Sequence, residues 1–133
     1  PGQGNFPDNY VIQTRIQHAS AKGDIGIYFR NQPGNQNQGV YTFLVHTNGT
    51  WTITVYNNGG TPTDLKNGTL GVDPYGQLNL AIVANGPQYS VYLNNNLLTT
   101  VNDGTYLQGT AGLVVGPEAT LLTNNFVLSS PAS

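Results

Sequence analysis

The sequence predicts an all-β protein: an antiparallel two-sheet β-sandwich, or jelly roll, of about nine strands. Three observations carry this. Helix signals are nearly missing from the 133 residues. Apolar and polar residues alternate in short segments, the period-two pattern of a half-buried strand. The segments recur every ten residues or so, divided by Gly, Asn, Pro and Asp turns.

The elements follow in order. "NYVIQTRIQ" sets Tyr10, Ile12, Thr14 and Ile16 against Val11, Gln13, Arg15 and Gln17. After "SAKGD" comes "IGIYFRN", whose Ile25, Ile27 and Phe29 alternate with Gly26, Tyr28 and Arg30. The polar loop "NQPGNQNQG" leads to "VYTFLVH", and "TNGT" joins that to "WTITVYN". Asn-Gly at such a junction is the strongest short hairpin signal. The stretch 57–76 reads as a long connection ending in the type I turn "DPYG", with Pro second and Gly fourth. "QLNLAIVAN", "QYSVYLN" and "NLLTTVND" form a meander, and "GTAGLVV" and "TLLTNNFVL" close the chain. No linker or repeat divides it. One domain over 1–133 is expected, its ordered core at 6–128 and a tail at 129–133.

Composition narrows the function. Charged residues make up only 8%, and Asn, Gln, Thr, Ser and Gly supply the polarity. This suits an extracellular or cell-surface protein that hydrogen-bonds neutral partners such as sugars, or a subunit that packs against its own copies. The four cations, Arg15, Lys22, Arg30 and Lys66, are scattered, which argues against nucleic acid. No run approaches the ~20 apolar residues of a membrane helix. Without cysteine there is neither a disulfide framework nor a thiolate metal site. His18 and His46 have no acidic residue at ligand spacing, so no metal and no cofactor are expected; calcium on Asp24 or Asp103 is the weaker exclusion. A start at Pro1 without methionine points to a processed, excised or partial chain. The sequons at Asn48 and Asn67 fall at turns, where Asn-Gly-Thr also serves the backbone.

"GIYFRN", the triplet Tyr41-Thr42-Phe43, and the run from "LAIVANG" through "VYLNNN" to "GTAGLVV" resemble the concanavalin A-like lectin/glucanase superfamily, nearest its laminin-G-like and 3-keto-disaccharide-hydrolase-like domains. The resemblance spans Phe6 to Leu128. It implies a two-sheet jelly roll whose concave sheet often holds saccharide, a scaffold shared more widely than its chemistry. The superfamily's glucanases carry Glu-x-Asp-x-x-Glu on one strand. This chain has a single glutamate, Glu118, and lacks that triplet, so no catalysis is expected. Family domains usually begin with additional N-terminal strands, and here only "PGQGNFPD" precedes "NYVIQTRIQ". If the chain is complete, "TLLTNNFVL", uncharged from Thr120 to Leu128, is expected to be an edge that another chain or a missing segment completes.

Alternation also sorts the faces. Ile25, Ile27, Phe29, Trp51, Ile53, Val55, Tyr89, Val91 and Leu93 are expected inside. Tyr28, Arg30, Thr52, Thr54, Tyr56, Ser90, Tyr92 and Asn94 are expected outside, and the strand 41–46 is ambiguous. Tyrosines among hydroxyl and amide groups suit the apolar C–H faces and hydroxyls of a sugar. The candidate ligand-binding residues are therefore Tyr28, Arg30, Thr54, Tyr56 and Tyr92. The competing reading keeps Tyr and Thr as ordinary strand residues, folds loop 57–76 over the face, and pairs Arg30 with Asp24 or loop carbonyls. The leading function is a non-catalytic extracellular carbohydrate-binding module. The alternatives are a self-assembling filament or surface-layer subunit, and an accessory or sensor domain of a larger exported protein.

Overall fold

A computed structural model describes residues 8–19, 22–32, 39–57 and 61–129. Phe6 and the segment 130–133 of the expected core and tail lie outside them, as does most of the polar loop before Val40. The described residues form ten strands: β1 Tyr10–His18, β2 Ile25–Asn31, β3 Val40–Val45, β4 Thr50–Tyr56, β5 Pro62–Thr69, β6 Gln77–Asn85, β7 Gln88–Leu93, β8 Asn96–Asn102, β9 Thr110–Val115 and β10 Leu121–Ser129. They pair antiparallel in two five-stranded sheets. Sheet A runs β10-β1-β6-β7-β8, and sheet B runs β5-β4-β3-β2-β9. The fold is the jelly-roll sandwich that the alternation predicts.

The core is the product of that alternation. Ile25, Ile27 and Phe29 meet Tyr41, Phe43, Val45, Trp51, Ile53 and Val55 on the inner face of sheet B, all buried. Sheet A answers with Tyr10, Ile12, Ile16, Leu78, Leu80, Ile82, Tyr89, Val91 and Leu93. The ambiguous strand thus turns Tyr41, Phe43 and Val45 inward and leaves Thr42 and Leu44 on the outer side. At one end, the Phe29 and Tyr41 rings stack 5.3 Å apart, and Tyr89 packs on both.

Three turns show how local chemistry sets the register. Gly49, at φ 88°, closes the β3–β4 hairpin, and the side-chain oxygen of Asn48 accepts from the N–H and hydroxyl of Thr50. Asn94 and Asn95 both take positive φ, the requirement of a two-residue hairpin between β7 and β8. In "DPYG", the Gly76 N–H closes on the Asp73 carbonyl, as expected. The long connection expected over 57–76 is corrected: Pro62–Thr69 pairs along β4 as an edge strand, lying beside sheet B rather than across its face. Its residues are mostly exposed and include Asp64, Lys66 and Gly68, so it has no apolar alternation to announce it. β10 pairs with β1 on one side and stands at the outer edge of sheet A.

Candidate functional site

The five candidate residues do not converge. Tyr28, Thr54 and Tyr56 stand on sheet B, whereas Tyr92 stands on β7 of sheet A. Arg30 belongs to neither outer face: its outward placement is corrected, because it is fully buried. The residue adopts φ 55° at an irregularity between Tyr28 and Asn31, where β2 loses step with β9. A left-handed residue at a bulge swings its side chain out of the strand alternation. The guanidinium then reaches across the sandwich. Its Nε donates to the Tyr89 hydroxyl at 3.1 Å, one terminal nitrogen to the Asp8 carbonyl, and the other to the Gly86 carbonyl at 3.1 Å. It also sits 5.0 Å from the Tyr10 ring centroid and 5.4 Å from that of Tyr89. Arg30 joins the two sheets.

The outer face of sheet B is built row by row from the register. Gly112, Tyr28, Thr42, Thr54 and Asp64 stand opposite one another across all five strands. A Cβ on Gly112 would lie 2.5 to 2.7 Å from the hydroxyl end of the Tyr28 ring. The missing side chain lets that ring lie over β9, half-exposed beside Thr42. The Thr42 hydroxyl is buried and has no hydrogen-bond partner, an unfavourable state for a polar atom. Thr54 donates to the Asp64 carboxylate at 3.0 Å and is itself buried.

At one end of this face lies a feature that the sequence reading missed. Asp24 accepts from His46 Nδ1 at 2.9 Å, and His46 Nε2 meets the Thr52 hydroxyl at 2.8 Å. A carboxylate beside Nδ1 holds a ring proton there. The three residues lie on different parts of the chain, and only pairing of β2 with β3 and β3 with β4 assembles them. Beside them opens a recess of about 550 Å³, lined by His46, Asn48, Thr50, Thr52, Asn67 and Thr69 among others. Thr54 spends its proton on Asp64 of the neighbouring strand, and Asp24 and Asp64 are carboxylates. Sheet B thus combines carboxylates with the half-exposed Tyr28 and Tyr56 rings.

The perturbed acids lie elsewhere. Burial, then the hydrogen bond to Asp103, holds the Tyr41 hydroxyl protonated well above the ordinary phenol range. Burial works against ionised Asp103, but hydrogen bonds from Thr105 and Tyr41 outweigh it and keep the carboxyl below its usual range. Among the described residues, no three of the His, Asp and Glu side chains are grouped to hold a metal ion.

This architecture defines a concanavalin A-like jelly roll. Among solved structures, the carbohydrate-binding module CBM66 from Bacillus subtilis superposes with a TM-score of 0.78 at 19% identity, over 92% of this chain and 75% of that one. Sheep galectin-11, solved with glycerol, gives 0.73 at 12% identity, covering 93% and 92%. A Bacillus licheniformis β-glucanase gives 0.69 at 12%, covering 93% and 67%. At these identities the likeness is one of fold. No family model and no curated protein sequence matches the chain.

Proposed function

We propose that the protein is a non-catalytic extracellular module that binds a neutral saccharide on the outer face of sheet B. The observation that carries this is the half-exposed Tyr28 ring lying over Gly112. Such a ring offers a flat surface for the C–H face of a sugar. The exposed Asp64 carboxylate and the half-exposed Thr52 offer oxygens to its hydroxyls. Tyr56, half-exposed on β4, stands on the same face. The carbohydrate-binding module and the galectins among the similar folds support the reading by analogy.

A glycan array followed by calorimetry on the best neutral oligosaccharide tests it. Tyr28→Ala and Tyr56→Ala are expected to weaken binding by about tenfold each, in keeping with loss of an aromatic contact of 0.5–1.5 kcal/mol plus its buried area. Binding untouched by both changes, in variants that still fold, rejects this face.

A further inference from the structure

We propose a second ligand site on the opposite side of the sandwich, a groove across the outer face of sheet A that takes an acidic saccharide through Arg15 and Tyr92. It does not depend on the sheet B reading. The register lines up Val127, Gln13, Ala81 and Tyr92 across four strands, with Asn125, Arg15 and Asn79 in the next row. Ala81 is the short residue between Gln13 and Tyr92, and that difference in height makes a trough of about 330 Å³. This lies within the range of pockets that hold small ligands.

The chemistry of the trough differs from that of sheet B. The five strands of sheet A contain a single Lys or Arg, Arg15, and no Asp or Glu, although the whole chain carries a net charge of −2. Arg15 Nε donates to the Asn79 side-chain oxygen at 2.8 Å. That bond orients the guanidinium and leaves its two terminal nitrogens without a partner among the described residues. A planar pair of donors matches a carboxylate in bidentate fashion. Gln13 and Asn125 add amide donors and acceptors at the rim, and the half-exposed Tyr92 ring supplies an apolar wall. A ring that presents hydroxyls, a C–H face and one carboxylate satisfies all of these together. A uronic-acid unit has that chemistry.

The probe is a short uronic-acid oligosaccharide, with its methyl ester as the uncharged match. Each is titrated into the ¹⁵N-labelled chain while amide shifts are followed. The acid is expected to move amides of β1, β6 and β7 saturably, and the ester to bind about tenfold more weakly, the effect of removing one charge-assisted hydrogen-bonded pair. Arg15→Gln should abolish the preference for the acid, and Arg15→Lys should restore only part of it, since lysine lacks the planar fork. Tyr92→Ala should weaken both probes. Equal binding of acid and ester, no saturable binding of the acid, or shifts confined to sheet B would each overturn the proposal. Because Arg15 is exposed, its replacement leaves the core intact, and the neutral oligosaccharide bound by sheet B reports separately on that face.

Discussion

Among the described residues, Arg30 is a cation held without a carboxylate. Two main-chain carbonyls and a phenol oxygen share its donors, and two tyrosine rings lie within reach of its charge. Removing it leaves the buried Tyr89 oxygen and two part-buried carbonyls without this donor. Arg30→Met is therefore expected to lower unfolding stability by about 1–3 kcal/mol, the cost of leaving hydrogen-bond acceptors without a donor. Arg30→Lys should recover little, because three forked contacts cannot be met by one ammonium. Urea titration of both variants checks this; a loss below 1 kcal/mol would deny the residue its joining role. Asp103 provides the pH-sensitive counterpart. Its folded carboxyl ionises below its usual range, so its contribution is complete above that range and is lost as pH falls through the folded value. Asp103→Asn should lower the melting temperature at neutral pH and flatten the acid limb of the stability curve. At this scale, alternation read Tyr28 correctly and failed at the next outward position. A left-handed backbone at Arg30 is a tertiary event, and "YFRN" gives no local sign of it.

Among the elements, nine follow segments visible in the sequence, and β5 does not. Its residues carry no apolar stripe because an edge strand held by β4 requires none. The register, invisible in sequence, is what creates both candidate sites: it sets Gly112 beneath Tyr28 and Ala81 beside Tyr92. Gly112→Val tests that dependence without altering a ligand contact. The new side chain must displace the Tyr28 ring, so neutral-saccharide affinity should fall about as far as with Tyr28→Ala, by roughly tenfold. Circular dichroism should stay unchanged. The Asn94-Asn95 turn offers a gain: Asn95→Gly removes a left-handed strain and should add up to about 1 kcal/mol of stability, read in the same titrations.

The molecule as a whole presents two unlike outer faces. The strands of sheet B expose one carboxylate and one ammonium, Asp64 and Lys66, whereas sheet A has one guanidinium and no acid on its strands. The two ligand classes should bind without competition, so saturation with the neutral oligosaccharide should leave the uronate isotherm unchanged. The edge expected at "TLLTNNFVL" is present as β10, and among the described residues only β1 pairs with it.

The reach of Arg30 also governs the order of events in time. Its partners come from the segment before β1, from the β6–β7 turn and from β7, so the full set of bonds can close only after both sheets have docked. Contacts made that late leave the rate of folding almost untouched and act on the rate of escape from the native state. Stopped-flow measurements on Arg30→Met should accordingly find the unfolding limb of the chevron raised and the refolding limb nearly superposed on the wild type. The buried guanidinium would then be a latch that sets the lifetime of the folded molecule.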